Sequence, residues 1–280
     1  MKIKITTDST CDLSGELVTK FNIGVMPLYV ILGEETFIDG KIEPQKIYDY
    51  VSATGILPKT AAPSIEDFEE FFEAQLKGYD ALIHLDISSK ASSTYSYAVE
   101  ASKKFGGKVH VVDSYALSTG LGLLTLKAHD YAEAGLSPEE IVKKLEEHKM
   151  HTNTSFVPDT LEYLHKGGRC SLAALMGAKV LRLHPMIDMK DGQMYAKRKY
   201  MGNIGRALKT YISDLAREYP NYDKTRCFIT HTSCDGEVVE SVKNQVKELF
   251  DFENIYETIA GCVVTSHCGK GTLGVLFIIE

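Results

Sequence analysis

Short apolar runs that stop at small polar or acidic residues recur through the first half of this chain, and each is followed by a helical stripe. Lys2–Thr7, Ala81–Leu85 and Val109–Val112 read as strands. Leu13–Phe21 follows the first as a helix, and Tyr97, Ala98, Ala101 and Phe105 recur at helical spacing after the second. This βαβ grammar dictates a parallel sheet covered on both faces. Val25–Leu32 reads as one further strand, at an edge or bent, because Pro27 lacks the N–H a central strand needs. Ile65, Phe68, Phe72 and Leu76 form a helical stripe opened by Pro63-Ser64. Residues 138–149 form a helix capped by Ser137, with Pro138 at its first position and Glu140 closing the capping box.

The grammar changes after residue 151. Leu161–Leu164 and Leu172–Leu181 read as helical, and His184–Met189 and Gln193–Lys199 as strands joined by an Asp191-Gly192 hairpin turn. Ile204, Ala207, Leu208, Tyr211, Ile212 and Leu215 mark an amphipathic helix. Cys227–His231, Ile255–Ile259 and Leu273–Ile279 are strands, with helix Val238–Leu249 between the first two. The expected fold is therefore α/β in two domains. Residues 1–151 form a three-layer parallel-sheet domain, and 152–280 an α+β domain with a mixed sheet. A length of 280 residues suits two cores.

Composition narrows the function. With 31 basic and 38 acidic residues the chain carries a net charge of −7, against nucleic-acid binding. Lys197-Arg198-Lys199 is its densest basic run. No apolar run approaches the roughly 18–20 residues that span a bilayer. Met1 leads directly into a strand rather than a secretory leader, so the expectation is cytoplasmic. The six scattered cysteines are expected to be reduced. His231-x-x-Cys234 has ligand spacing for zinc, but Cys262, His267 and Cys268 give it no compact partner pair, so no metal is expected. Gly269-Lys270-Gly271-Thr272 lacks phosphate-loop spacing. Gly120-Leu121-Gly122 lacks the third glycine of a dinucleotide fingerprint. No G-x-S-x-G elbow is present. No nucleotide site or cofactor is expected.

Strand ends of a parallel sheet line its ligand crevice. Three of them here carry small polar residues: Thr7–Thr10, Ser88–Thr94 and Asp113-Ser114. The second places Ser88, Ser89, Ser92, Ser93, Thr94 and Tyr95 where a strand gives way to a helix. Such a run suits an anion, and it equally suits ordinary N-capping by Ser92 or Ser93. His267 lies in a turn before the last strand, where it can act as donor, base or structural side chain. Arg169 follows Gly167-Gly168 at a helix end, and Arg198 ends a hairpin strand.

Seven ordered segments resemble the DegV family, which includes the fatty-acid-binding subunit of bacterial fatty acid kinase. They are Thr7-Asp8-Ser9-Thr10-Cys11-Asp12-Leu13, Pro27-Leu28 with Phe37-Ile38-Asp39-Gly40, Pro58–Ser64, Ser88–Tyr95, Val111–Ser114, Leu164–Arg169 and His267–Gly274. The resemblance implies a non-catalytic subunit that holds one long-chain fatty acid in a tunnel between two domains. Its carboxylate would be bound by Thr60, Ser92 and His267, with Ser93 beside them. A separate kinase subunit would phosphorylate the carboxylate to an acyl phosphate for lipid synthesis. Arg169 and Arg198 would dock that kinase or steady phosphate.

Two departures bear on the ligand. The family's T-S-Q-P-S is Thr60-Ala61-Ala62-Pro63-Ser64 here, and its S-G-T-Y is Ser92-Ser93-Thr94-Tyr95. Both alter volume and polarity beside the expected carboxylate. The alternatives are a hydrolase using Ser92, His267 and Asp8, or a small-metabolite sensor on the same scaffold.

Overall fold

A computed structural model describes residues 1–170 and 183–280; the helix expected over 172–181 lies outside them. The N-terminal half runs β1 (Ile3–Asp8), α1 (Gly15–Lys20), β2 (Gly24–Met26), β3 (Tyr29–Leu32), β4 (Glu35–Ile38), α2 (Pro44–Thr54) and β5 (Lys59–Ala61). It continues through α3 (Ile65–Gln75), β6 (Ala81–Asp86), α4 (Thr94–Ser102), β7 (Val109–Asp113), α5 (Thr119–Glu133) and α6 (Pro138–His148). Strands β2-β1-β6-β7, in that order, form the expected parallel sheet. Helix α6 opens with the capping box read from Ser137 and Glu140, and α3 opens with a second one, between Ser64 and Asp67.

The apolar run Val25–Leu32 is two strands rather than one. β2 ends at Met26, and after Pro27 the chain enters a separate antiparallel sheet of order β4-β3-β5. Proline interrupts the ladder, so the strand changes sheets there. The switch is stitched in place: Leu28 donates its N–H to Ser9 Oγ at 3.1 Å, and its carbonyl accepts from Asp39 N at 2.9 Å.

The C-terminal half runs β8 (Thr152–Asn153), β9 (Phe156–Val157), α7 (Glu162–Lys166), β10 (Leu183–Lys190), β11 (Gln193–Met201) and α8 (Ile204–Glu218). Then come β12 (Tyr222–His231), α9 (Gly236–Leu249), β13 (Ile255–Ile259), α10 (Cys262–Cys268) and β14 (Leu273–Ile279). They build a mixed sheet of order β11-β10-β9-β14-β12-β13, with β8 also on β14. The pair β12–β13 is parallel, and the other pairs are antiparallel. Amphipathic α8 buries Ala207, Leu208, Tyr211, Ile212 and Leu215. The fully buried Tyr211 hydroxyl donates to the Ser155 carbonyl at 2.8 Å and accepts from Val275 N at 3.1 Å.

The halves share one core. Leu85, Leu121 and Leu124 from the first pack in the same cluster as Phe156, Leu164, Ile187, Ala260 and Val264 from the second. Polar ties reinforce it. Arg226 on β12 forks onto Asp130 of α5, at 2.5 and 2.8 Å. The Asp191-Gly192 turn joins β10 to β11 as expected, and its tip touches the first half: Ser88 Oγ donates to the Gly192 carbonyl at 2.7 Å. Gly192 holds a left-handed φ of 78°, and a Cβ there would fall 2.6 Å from Ser88 Oγ. Gly192→Ala is therefore expected to lower stability by about 1–3 kcal/mol, read as a shift in the urea midpoint.

Candidate functional site

A cavity of about 370 Å³ lies between the halves, within the size range of small-molecule sites. Its walls are mostly apolar. Leu28, Ile87, Ala91 and Leu117 come from the first half, and Leu164, Met194, Val263, Val264 and Cys268 from the second. Thr60, Ser92, Ser93, Arg169 and His267 also line it, so five of the six residues singled out from sequence meet in one place.

Thr60 sits on β5, paired to β3. His267 sits in the last turn of α10, not in the glycine-rich turn expected; the glycines begin one residue beyond the helix. Thr60 Oγ1 and His267 Nε2 lie 2.9 Å apart. The other ring nitrogen, Nδ1, is buried with no hydrogen-bond partner and faces the backbone of Gly167, where a Cβ would come within 2.8 Å. An unpaired buried N–H costs more than an unpaired lone pair, so the proton belongs on Nε2, donated to Thr60. The Thr60 hydroxyl is then free to donate into the cavity. Burial, with a smaller push from Arg169, holds the His267 imidazole down at about 4. The ring is neutral at physiological pH.

Ser92 lies in the turn before α4. Its Oγ contacts Thr94 Oγ1 at 2.7 Å and accepts from Thr94 N at 3.2 Å. Ser92, one residue ahead of the N-cap Ser93, thus satisfies the first N–H of α4 while lining the cavity. Ser93 caps nothing with its side chain and is exposed at the cavity. Arg169 reaches the rim from the end of α7, and its Nη1 donates to the Gly167 carbonyl at 2.7 Å. Arg198 is the residue that lies apart. It projects from β11 onto Asp214 at 2.9 Å and Glu218 at 2.7 Å of α8, away from the cavity. Its neighbour Lys197 pairs with Asp188 and Glu218.

The other polar strand ends converge as expected but spend their hydrogen bonds on one another. Asp8 accepts from Thr10 N and Ile87 N at 2.7 Å each, and Asp113 from Ser89 N and Tyr115 N at 3.1 Å each. Burial beside Asp86 pushes the Asp8 carboxyl up to about 7. His267 pairs with Thr60 while Asp8 is held by Thr10 and Ile87, so no Ser92–His267–Asp8 relay assembles. His231 Nδ1 accepts from Cys234 N, and no metal-holding group of His, Cys, Asp and Glu occurs among the described residues.

Two carboxylates near the site went unassigned in the sequence. Asp12 Oδ1 accepts from Gly261 N at 2.7 Å, and Asp39 Oδ1 from Cys262 N at 2.9 Å. Together they hold the start of α10, the helix whose last turn carries His267. Both stand in motifs quoted for the resemblance, which was the available signal.

The depressed His267 pKa sets a testable sign. Between about 4 and 6.5 the unfolded chain binds a proton at this ring and the folded chain does not, so this residue removes stability as pH falls through that window. His267→Gln is expected to lose less stability than the parent between pH 6.5 and 4, measured by urea unfolding of both proteins at each pH.

Comparison with known proteins agrees with this architecture. The family model described as "Uncharacterised protein, DegV family" matches residues 2–280. A fatty acid-binding protein of Thermotoga maritima is 31% identical over 280 residues, covering 98% of this chain and 96% of that one. The structure reported as fatty acid binding of a DegV family protein from Thermus thermophilus superposes with a TM-score of 0.89 at 31% identity, over the whole of both chains. The Streptococcus pneumoniae fatty acid kinase B3 protein, loaded with linoleic acid, shares the fold with a TM-score of 0.85 at 21% identity, over the whole of both chains. Membership of the DegV family therefore follows for this chain from end to end.

Proposed function

We propose that this protein binds a long-chain fatty acid in the cavity between domains 1–151 and 152–280, with the carboxylate at Thr60, Ser92, Ser93 and His267. The observation that carries the reading is a largely apolar cavity whose polar groups cluster around the Thr60–His267 hydrogen bond. Each buried methylene contributes about 0.8 kcal/mol, so a dozen of them give about 10 kcal/mol before ordering costs. The tail thus supplies most of the affinity. The head group needs only donors, and hydroxyls backed by a neutral imidazole provide them without a fixed buried charge. Fatty-acid binding reported for the T. maritima and T. thermophilus relatives supports the same class of ligand.

The protein itself performs no chemistry in this reading. A separate cytoplasmic kinase subunit phosphorylates the presented carboxylate, yielding an acyl phosphate. Arg169, at the rim beside His267, is suited to meet that subunit or the incoming phosphate. Arg198 would contribute from the outer face of β11, where Asp214 and Glu218 already hold it.

Mass spectrometry of a denatured extract of the purified protein is expected to find a fatty acid. Protein that is free of lipid and takes up none when it is offered would refute the reading, and a small polar acid in the extract would favour a metabolite sensor instead. Ser92→Ala and His267→Ala are each expected to weaken fatty-acid binding about tenfold, the worth of one hydrogen bond to a charged group, while the unfolding transition stays cooperative. Unchanged affinity in both would reject the head-group assignment.

A further inference from the structure

Helix α10 carries the site yet has little reason to be a helix. It is seven residues long, and Val263, Val264 and Thr265 are β-branched. The N–H of its N-cap Gly261 and that of its first residue, Cys262, are taken by carboxylates from the other half of the chain, Asp12 and Asp39. Each carboxylate is itself pinned. Ser118 Oγ donates to Asp12 Oδ2 at 2.5 Å, and Ser9 Oγ donates to Asp39 Oδ2 at 2.7 Å. Gly261 fits between them: a Cβ there would stand 3.3 Å from an oxygen of each.

The backbone is strained to make this arrangement. Asp12 and Ser118 are non-glycine residues with left-handed φ values of 50° and 52°, and they bond to each other. Strain of this kind persists where surrounding structure over-determines it, and it gathers at functional positions. Ser118 adjoins Leu117, a cavity wall residue, and Ser9 also anchors Leu28, another. One carboxylate therefore ties His267's helix to Leu117, and the other ties it to Leu28.

We propose that Asp12 and Asp39 are positioning residues for ligand binding: by fixing the start of α10 against the first half, they hold His267 on Thr60. The inference rests on the fatty-acid reading for its affinity readout, but the state of the His267 ring tests it without ligand. Asp12→Ala and Asp39→Ala should each weaken binding of a fluorescent fatty-acid analogue about tenfold. The same variants should move the imidazole nitrogen NMR signals of His267 in the ligand-free protein. Leu215→Ala, a core truncation remote from the cavity, serves as control: it should lose stability yet leave both readouts where they are in the parent.

Affinity within twofold of the parent, or His267 signals that stay in place, would overturn the proposal. So would an equal loss of affinity in Leu215→Ala. Should the aspartate variants fail to fold, Ser9→Ala and Ser118→Ala decide by the same two readouts, since each loosens one carboxylate and removes no cap. If the parent takes up no fatty acid, the fatty-acid reading falls, and the His267 signals alone decide the positioning role.

Discussion

The two halves of this protein are set at a fixed distance by α5. Every residue from Thr119 to Leu126 is buried, so the helix has no solvent face over its first two turns. It lies on β1 and β6 of the parallel sheet on one side and on β14 and β12 of the mixed sheet on the other. Close approach is what its glycines supply. A Cβ on Gly122 would fall 2.9 Å from the Cys11 carbonyl, and Thr154 crowds Gly120 in the same way. The Gly120-Leu121-Gly122 pattern that hints at a nucleotide loop is instead a packing device. With α5 filling the space between the sheets, the remaining gap beside it is the cavity, bounded by Leu117 just ahead of the helix.

Polar groups around that gap are accounted for almost completely. Asp8, Asp12, Asp39 and Asp113 all have backbone or hydroxyl donors, and Thr60, which accepts from His267, keeps its hydroxyl hydrogen for a guest. Neutrality of His267 matters for the same reason. A permanent cation there would need a permanent anion, and the empty site would pay for it in desolvation. A neutral donor chain leaves the cavity stable with or without an anionic head group.

Much of this could be read from the chain. The strands of the parallel sheet announced themselves because buried parallel strands are continuous apolar runs, as Ala81-Leu82-Ile83 shows. The start of helix α6 was legible to the residue because its capping box is local chemistry. Thr60, Ser92, Ser93, Arg169 and His267 were found through motifs and do share a cavity. What stayed hidden depends on tertiary contact. Pro27 signalled a bent strand, but that it marks a change of sheets is decided by Ser9 and Asp39, which are distant in sequence. Cys262-Val263-Val264-Thr265 has strand-like propensity, and the carboxylates that accept at the start of α10, Asp12 and Asp39, come from the other half. Arg198 looked like a free cation, since nothing in its local run foretells the carboxylates of α8.

The hydrogen bond between Thr60 and His267 joins residues 207 positions apart. Contacts of such separation form late, because the loop they close must first be ordered. His267 lies on α10, and β14, the strand beside β12 in the mixed sheet, follows it in the chain. A chain cut before α10 would therefore keep every strand of the parallel sheet and lack the Thr60–His267 hydrogen bond. The pairing is thus confined by topology to a chain in which both halves have folded.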